Sequence, residues 1–309
     1  MEMAISFLNS LIESAIRTGC PIMLCGLACL FCAEVGIINF TMEGIMTMGA
    51  FFGVYGSYLT GSPWIGLLFG MVAGLVTSLI FGVMAITVRV NQVVAGAGLN
   101  ALCLGLSSYL LNVCYPHGVP NQVNSFPNLN FGYISRLPFI GILFRQQILT
   151  YFAFALVPTV WYILNKTSFG LSTRACGEQP YAADSLGINV PKKRYIAIFI
   201  SGLLGGAGGA ALSLGQLSIF TVGMVAGRGY MSWSVVNIGK YSPFGIMGAS
   251  LLFGAATALQ VRMKALGVHI PSQLFSMLPY VLTMIVLATV VGRSIGPKAM
   301  GKPFVKGVR

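Results

Sequence analysis

Acidic side chains are almost missing from this sequence: Glu2, Glu13, Glu34, Glu43, Glu178 and Asp184 are the six in 309 residues, beside two histidines, His117 and His269. So few proton-transfer and ligand groups yield no paired catalytic carboxylates, no Ser/His/Asp set and no metal-ligand spacing, which argues against an enzyme and against a metal centre. Charge of either sign is scarce. Charged residues make up 8% of the chain and hydrophobic ones 56%, whereas an ordinary soluble domain carries about 25% charged. A soluble surface of this size cannot be built from that supply, but a lipid-facing one can. Apolar runs of roughly 20 residues, the length that crosses a bilayer, recur along the chain. Its 39 glycines suit helices whose backbones approach closely in lipid. The chain reads as an integral membrane protein.

The net charge of +12 does not point to nucleic acid, because the basic residues sit in short loops and in the tail after Arg293, where they set orientation by the positive-inside rule. Four of seven cysteines, Cys20, Cys25, Cys29 and Cys32, lie in the first apolar run. Cys25, Cys29 and Cys32 share a helix face and read as small packing residues, and the odd count argues against a disulfide framework. No cleavable signal peptide is expected, since the chain opens Met-Glu-Met without a basic region.

The pattern predicts an all-α, polytopic transmembrane bundle of about eight to ten spans, a single transmembrane domain over 1–309, with helices near 11–32, 44–60, 64–88, 93–114, 148–165, 195–215, 228–240, 243–262 and 274–292. The proline- and asparagine-rich stretch 115–147 reads as an external loop. The stretch 166–194 carries Lys166, Arg174, Lys192, Lys193 and Arg194, so it is placed in the cytoplasm. Lys298, Lys302, Lys306 and Arg309 place the C-terminus there too, with Arg89 inside and the N-terminus outside. Arg262 and Lys264 then fall outside, a local exception.

An offset of 180 residues superposes Phe40-Thr41 on Phe220-Thr221, Gly49 on Gly229, Ser62-Pro63 on Ser242-Pro243, and Gly74, Thr77 and Leu79 on Gly254, Thr257 and Leu259. The positive-inside assignment runs these copies, about 36–90 and 216–264, in opposite directions. Inverted repeats build paths that open alternately to either side. Each copy opens with a weakly helical stretch, 36–41 and 215–221, and such discontinuous helices are tolerated only against protein or a watery cavity. Glu34 and Glu43 flank the first break, and Glu43 is expected to cap the helix that follows it. Asn39, Thr41, Glu43 itself, Asn100, Gln216, Arg228, Trp233 and Asn237 are the candidates for a polar pathway. The run Gly202–Gly209 lies inside an apolar span with no preceding strand, so it reads as helix packing rather than a nucleotide loop. No P-loop is present, so any ATP must be used by another subunit.

One cytoplasmic segment is more specific. Thr167-Ser168-Phe169-Gly170-Leu171, Arg174-Ala175-Cys176-Gly177-Glu178-Gln179-Pro180-Tyr181-Ala182-Ala183 and Gly187-Ile188 resemble the coupling loop of bacterial ABC importer permeases, in the branch serving ribose-type sugars, branched-chain amino acids and nucleosides. Gly36 through Gly44 with Gly49-Ala50, Gly227-Arg228-Gly229-Tyr230 leading to Pro243-Phe244-Gly245, and Leu278-Pro279-Tyr280 agree with that family. Asn39…Glu43-Gly44 and the Gly-Arg-Gly form are most similar to its nucleoside or simple-sugar permeases. Met231, Ser232, Trp233 and Lys240 depart from the smaller or apolar residues expected there.

The resemblance implies a bacterial inner-membrane importer permease that binds no cofactor itself. ATP and Mg²⁺ would sit on a partner ATPase with paired nucleotide-binding domains. A second related permease chain, in a heterodimer or homodimer, and an extracytoplasmic substrate-binding protein would complete the system. Residues 174–187 would form a short helix seated on the ATPase, with Arg174 and Glu178 fixing it by charge and Gly177, Ala182, Ala183 and Gly187 allowing close approach. The expected substrate is a nucleoside, with a simple sugar such as ribose as the alternative. A passive channel or secondary carrier explains the repeat but has no use for the 174–187 segment.

Overall fold

A computed structural model describes residues 2–115, 123–128, 141, 145–265, 277, 281, 284–285 and 296–305. The described residues form ten α-helices: α1 Glu2–Glu34, α2 Met42–Thr60, α3 Pro63–Gly82, α4 Gln92–Cys114, α5 Ile148–Lys166, α6 Ser168–Glu178, α7 Pro180–Ser185, α8 Val190–Leu212, α9 Arg228–Ile238 and α10 Pro243–Ala265. Wider π turns, Val83–Thr87 and Ser213–Leu217, extend α3 and α8. Six of these helical segments are long and apolar enough to cross a membrane: those built on α1, α3, α4, α5, α8 and α10. The chain is a multi-pass membrane protein. The last predicted helix, 274–292, lies largely outside the described residues, as do both histidines, most of the 115–147 loop and the 278–280 motif.

Helix ends follow local chemistry. Asn91 caps α4 by accepting from the backbone N–H groups of Val93 and Val94 at 3.0 and 3.2 Å, and Asn189 does the same for α8 through Lys192 N. Pro63, Pro180 and Pro191 occupy first-turn positions, where a missing N–H costs nothing.

α1 is enclosed by α8, α9, α10 and α5. Cys20, Cys25, Cys29 and Cys32 are buried along it within the main core. The shared face read from their spacing meets α8, with Cys25 Sγ 3.8 Å from the Gly205 carbonyl and Cys32 Sγ 3.9 Å from that of Ala197. Pro21 inside α1 withholds an N–H from the Arg17 carbonyl. Gln216 supplies the missing donor, its Nε2 reaching Arg17 O at 2.7 Å.

α2, α3 and α8 pack backbone to backbone. A Cβ added at Gly49 would sit 2.5 Å from the Gly206 carbonyl oxygen, and one at Gly206 would strike the backbone of Gly70 and Met71. The 202–209 run is therefore a packing surface, as its apolar setting predicted. Gly206→Val is expected to destabilise the fold by about 3 kcal/mol, read as a lower melting temperature of the detergent-solubilised chain. Gly98→Ala, with nothing within 4 Å of its added methyl, is the control expected not to lower it, since alanine is the better helix former.

Candidate functional site

Two places gather the sequence candidates. The first is the break between α1 and α2. Gly36 takes φ +80°, a left-handed conformation that costs glycine little, and the chain leaves α1 there. In a bilayer the freed backbone groups need partners, and neighbouring helices provide them. Gln92 Oε1 accepts from Ile38 N at 2.7 Å. Trp233 Nε1 donates to Asn39 O at 2.7 Å, and Asn100 Nδ2 donates to Phe40 O at 2.8 Å. Asn39 itself is fully buried. Its Nδ2 donates to Ser201 Oγ, and its Oδ1 accepts from Thr41 N. Asn100 Oδ1 then accepts from Gly44 N at 2.8 Å, while its Nδ2 also meets the Tyr230 hydroxyl at 2.9 Å.

Glu43 closes this junction, though not as its sequence position suggests. Rather than capping α2, its two carboxylate oxygens accept from Gly227 N and Gly229 N, each at 2.8 Å. These are orphan donors at the start of α9, a site where negative charge is favoured. Gly227, at φ +82°, supplies the turn into that helix. Arg228 adds electrostatic attraction to Glu43 and folds its Nη1 onto the carbonyls of Met224 and Val225.

Asn39, Thr41, Glu43, Asn100, Arg228 and Trp233 thus come together, while two other candidates lie elsewhere. Gln216 serves Arg17 near the opposite end of α1. Asn237 bridges Trp233 O and the Tyr241 hydroxyl near the far end of α9. The junction also enlists Gln92 and Ser201, which sequence reading passed over, and Tyr230, which it named only as part of a family motif. Gln92, a polar residue opening an otherwise apolar span, was the available signal. Ser232 and Trp233, two of the departures from the family pattern, are buried in the bundle, and Lys240 is exposed.

The second place lies at the Glu34 end. The single short helix expected over 174–187 is two, α6 and α7, because Gln179 breaks out of helical geometry at φ −142°, ψ 78° before Pro180 starts the next. A cavity of about 540 Å³ lies behind this elbow, where Glu34, Arg174, Glu178, Lys240 and Tyr241 share the lining with apolar residues such as Leu164 and Leu171. Arg174 turns toward Glu34 in that cavity, and the two attract electrostatically. Burial raises the Tyr241 phenol above its usual range, and Glu34 adds to the shift.

Gly177 and Ala183 pack inward. The first lies against the Glu34 backbone, the second in a small core with Cys176, Val190 and Phe304. Burial pushes the Cys176 thiol up, with Lys193 and Arg194 opposing, so it serves as packing. Glu178, Ala182 and Gly187 face outward, Gly187 at φ +84° ending α7. Beside them stand apolar side chains to which sequence reading gave no role: Leu186 is 83% exposed and Tyr181 45%. Their signal was two apolar residues in a polar, charged segment.

Comparison with known proteins agrees with this architecture. Residues 11–287 match the family described as branched-chain amino acid transport system / permease component. The chain is 37% identical to the nucleoside ABC transporter permease protein NupC of Lactococcus lactis subsp. cremoris, over 98% of each chain. It is 34% identical to the guanosine ABC transporter permease protein NupQ of Bacillus subtilis, over 99% of each. Among solved structures, PsaBC from Streptococcus pneumoniae in complex with Fab shares the fold at a TM-score of 0.50 and 17% identity, covering 91% of this chain and 90% of that one. The chain, with its bundle of apolar helices and its break clasped at Glu43, belongs to the branched-chain amino acid transport system permease family.

Proposed function

We propose that this chain is a permease subunit of an ATP-driven bacterial importer of nucleosides, seated in the cytoplasmic membrane with the α6–α7 elbow and the C-terminus in the cytoplasm. The observation that carries the reading is the elbow itself. It presents Leu186, Tyr181 and Glu178 outside the bundle, as a surface for a partner ATPase. ATP and Mg²⁺ belong to that partner, and this chain has no catalytic site and holds no cofactor. Closure of the ATPase pair pushes the elbow, and the bundle responds around the breaks at 36–41 and 215–221, the openings of the inverted repeat.

Substrate arrives from an extracytoplasmic binding protein and passes between this chain and a second, related permease. The faces of α3 and α4 rich in Val72, Val76, Val94 and Leu102 are exposed and available to that neighbour or to lipid. A nucleoside needs hydrogen bonds and ring contact rather than a counter-charge. Tyr230, exposed and tilted against Phe40 at a centroid distance of 5.6 Å, offers both beside the junction. The nucleoside and guanosine permeases over whose full length the chain aligns support this substrate.

The test is reconstitution of the complex with its co-expressed neighbours and uptake of labelled uridine, adenosine and ribose, with Glu178→Lys beside the wild type. Nucleoside uptake that needs ATP and is lost on charge reversal is expected. Ribose uptake alone would transfer the reading to a simple-sugar permease. Uptake without ATP, with no ATPase co-purifying, would replace it by a channel or carrier.

A further inference from the structure

The short segment Gly296–Val305 touches both helices of the elbow, the break at Gly36 and the start of α8. Ala299 N donates to Gly177 O at the end of α6, at 2.9 Å. Gly301 N donates to Gly36 O at the break, also at 2.9 Å. Arg194, only 2% exposed at the start of α8, donates from Nη2 to Lys302 O at 3.2 Å. Phe304 is buried in the small core with Cys176, Ala183 and Val190, and its ring lies 5.2 Å from that of Tyr181. Gly296 sits against the Tyr241 hydroxyl beyond the end of α9. A six-residue helix such as α7 has too few internal hydrogen bonds to hold itself, so its placement rests on this packing.

We infer that Gly296–Val305 is a strap that ties the α6–α7 elbow to the break at Gly36, so that displacement of the elbow is delivered to the junction held by Asn39, Asn100 and Glu43. Ala299 and Gly301 form a bridge of two backbone hydrogen bonds between Gly177 and Gly36, and no side chain on that path has to change rotamer. Phe304 is the positioning residue: it keeps α7 against the strap, so the elbow cannot tilt without pulling it. This rests on the importer reading above, because the strap has work to do only if the elbow is pushed.

The experiment uses the reconstituted full complex with Phe304→Ala, Phe304→Leu and Ala299→Pro, the last removing the N–H given to Gly177. Three quantities are read: ATPase retained on purification, basal hydrolysis, and nucleoside uptake with the hydrolysis it stimulates. For Phe304→Ala the ATPase is expected to stay bound and basal hydrolysis to hold, while stimulated hydrolysis and uptake fall about tenfold. Phe304→Leu should restore most of both. Wild-type uptake in Phe304→Ala overturns the strap, and so does loss of the ATPase in proportion to uptake, which would mark a purely structural role. If Phe304→Ala does not accumulate, Ala299→Pro decides by the same readings. Absence of ATP-dependent uptake in the wild type would instead strike the importer reading itself.

Discussion

Leu186→Asp is expected to strip the ATPase from the complex while leaving the permease as stable as before. Its side chain, 83% exposed, contributes little to the fold, so the thermal midpoint of the purified chain should not move. At an interface the same residue is an apolar anchor, and burying a carboxylate in its place is unfavourable. The expected loss is about 2 kcal/mol or more, roughly thirtyfold in affinity. Co-purification through a tag on the permease reads it directly. An ATPase that stays bound through salt washes, with uptake intact, would show that docking lies elsewhere. Leu171, 65% exposed on α6, would then be the next residue to change.

Glu43→Leu acts on the fold rather than on the partner. It leaves the N–H groups of Gly227 and Gly229 without their acceptor at the start of α9, in a setting where water offers little replacement. Each orphan donor costs about 1–3 kcal/mol, so two bring a large part of the stability of a marginal fold into question. The melting temperature of the solubilised chain should fall steeply, and uptake with it. Glu43→Gln is the graded control: one carbonyl oxygen still accepts, but the amide NH₂ faces a donor, so an intermediate fall is expected. Equal melting of all three proteins would show that the clasp contributes nothing.

Much of the bundle was legible because spanning a bilayer leaves a strong trace: long apolar runs, glycines where helices touch, and basic residues gathered in particular loops. The break after α1 could be read from Gly36 and Asn39 for a similar reason, since backbone without helical bonds needs unusual residues. What could not be read was which helix answers which. Glu43 lies in the first turn of α2 and yet serves α9, because a carboxylate goes to whichever orphan N–H groups lie nearest in space. Gln216 reads from sequence as pathway lining, yet it answers the Arg17 carbonyl that Pro21, on another helix, leaves without a donor. The elbow's motif was visible as a resemblance, but its inward and outward faces were not. Gly177 and Ala183 turn in, and Leu186, an unremarked leucine, turns out. Such assignments depend on tertiary placement and leave no periodic signature in so short a segment.

The glycine contacts among α2, α3 and α8 bear on how such a machine can move. Side-chain seams allow sliding, since interlocked groups can exchange one set of rotamers for another. Main chain pressed on main chain has no such slack: shifting Gly49 past Gly206 would mean passing one peptide unit through the space of the next. These three helices must travel as a single chassis, and whatever gives way during a transport stroke lies along its margins, where α1, α9 and the elbow meet it.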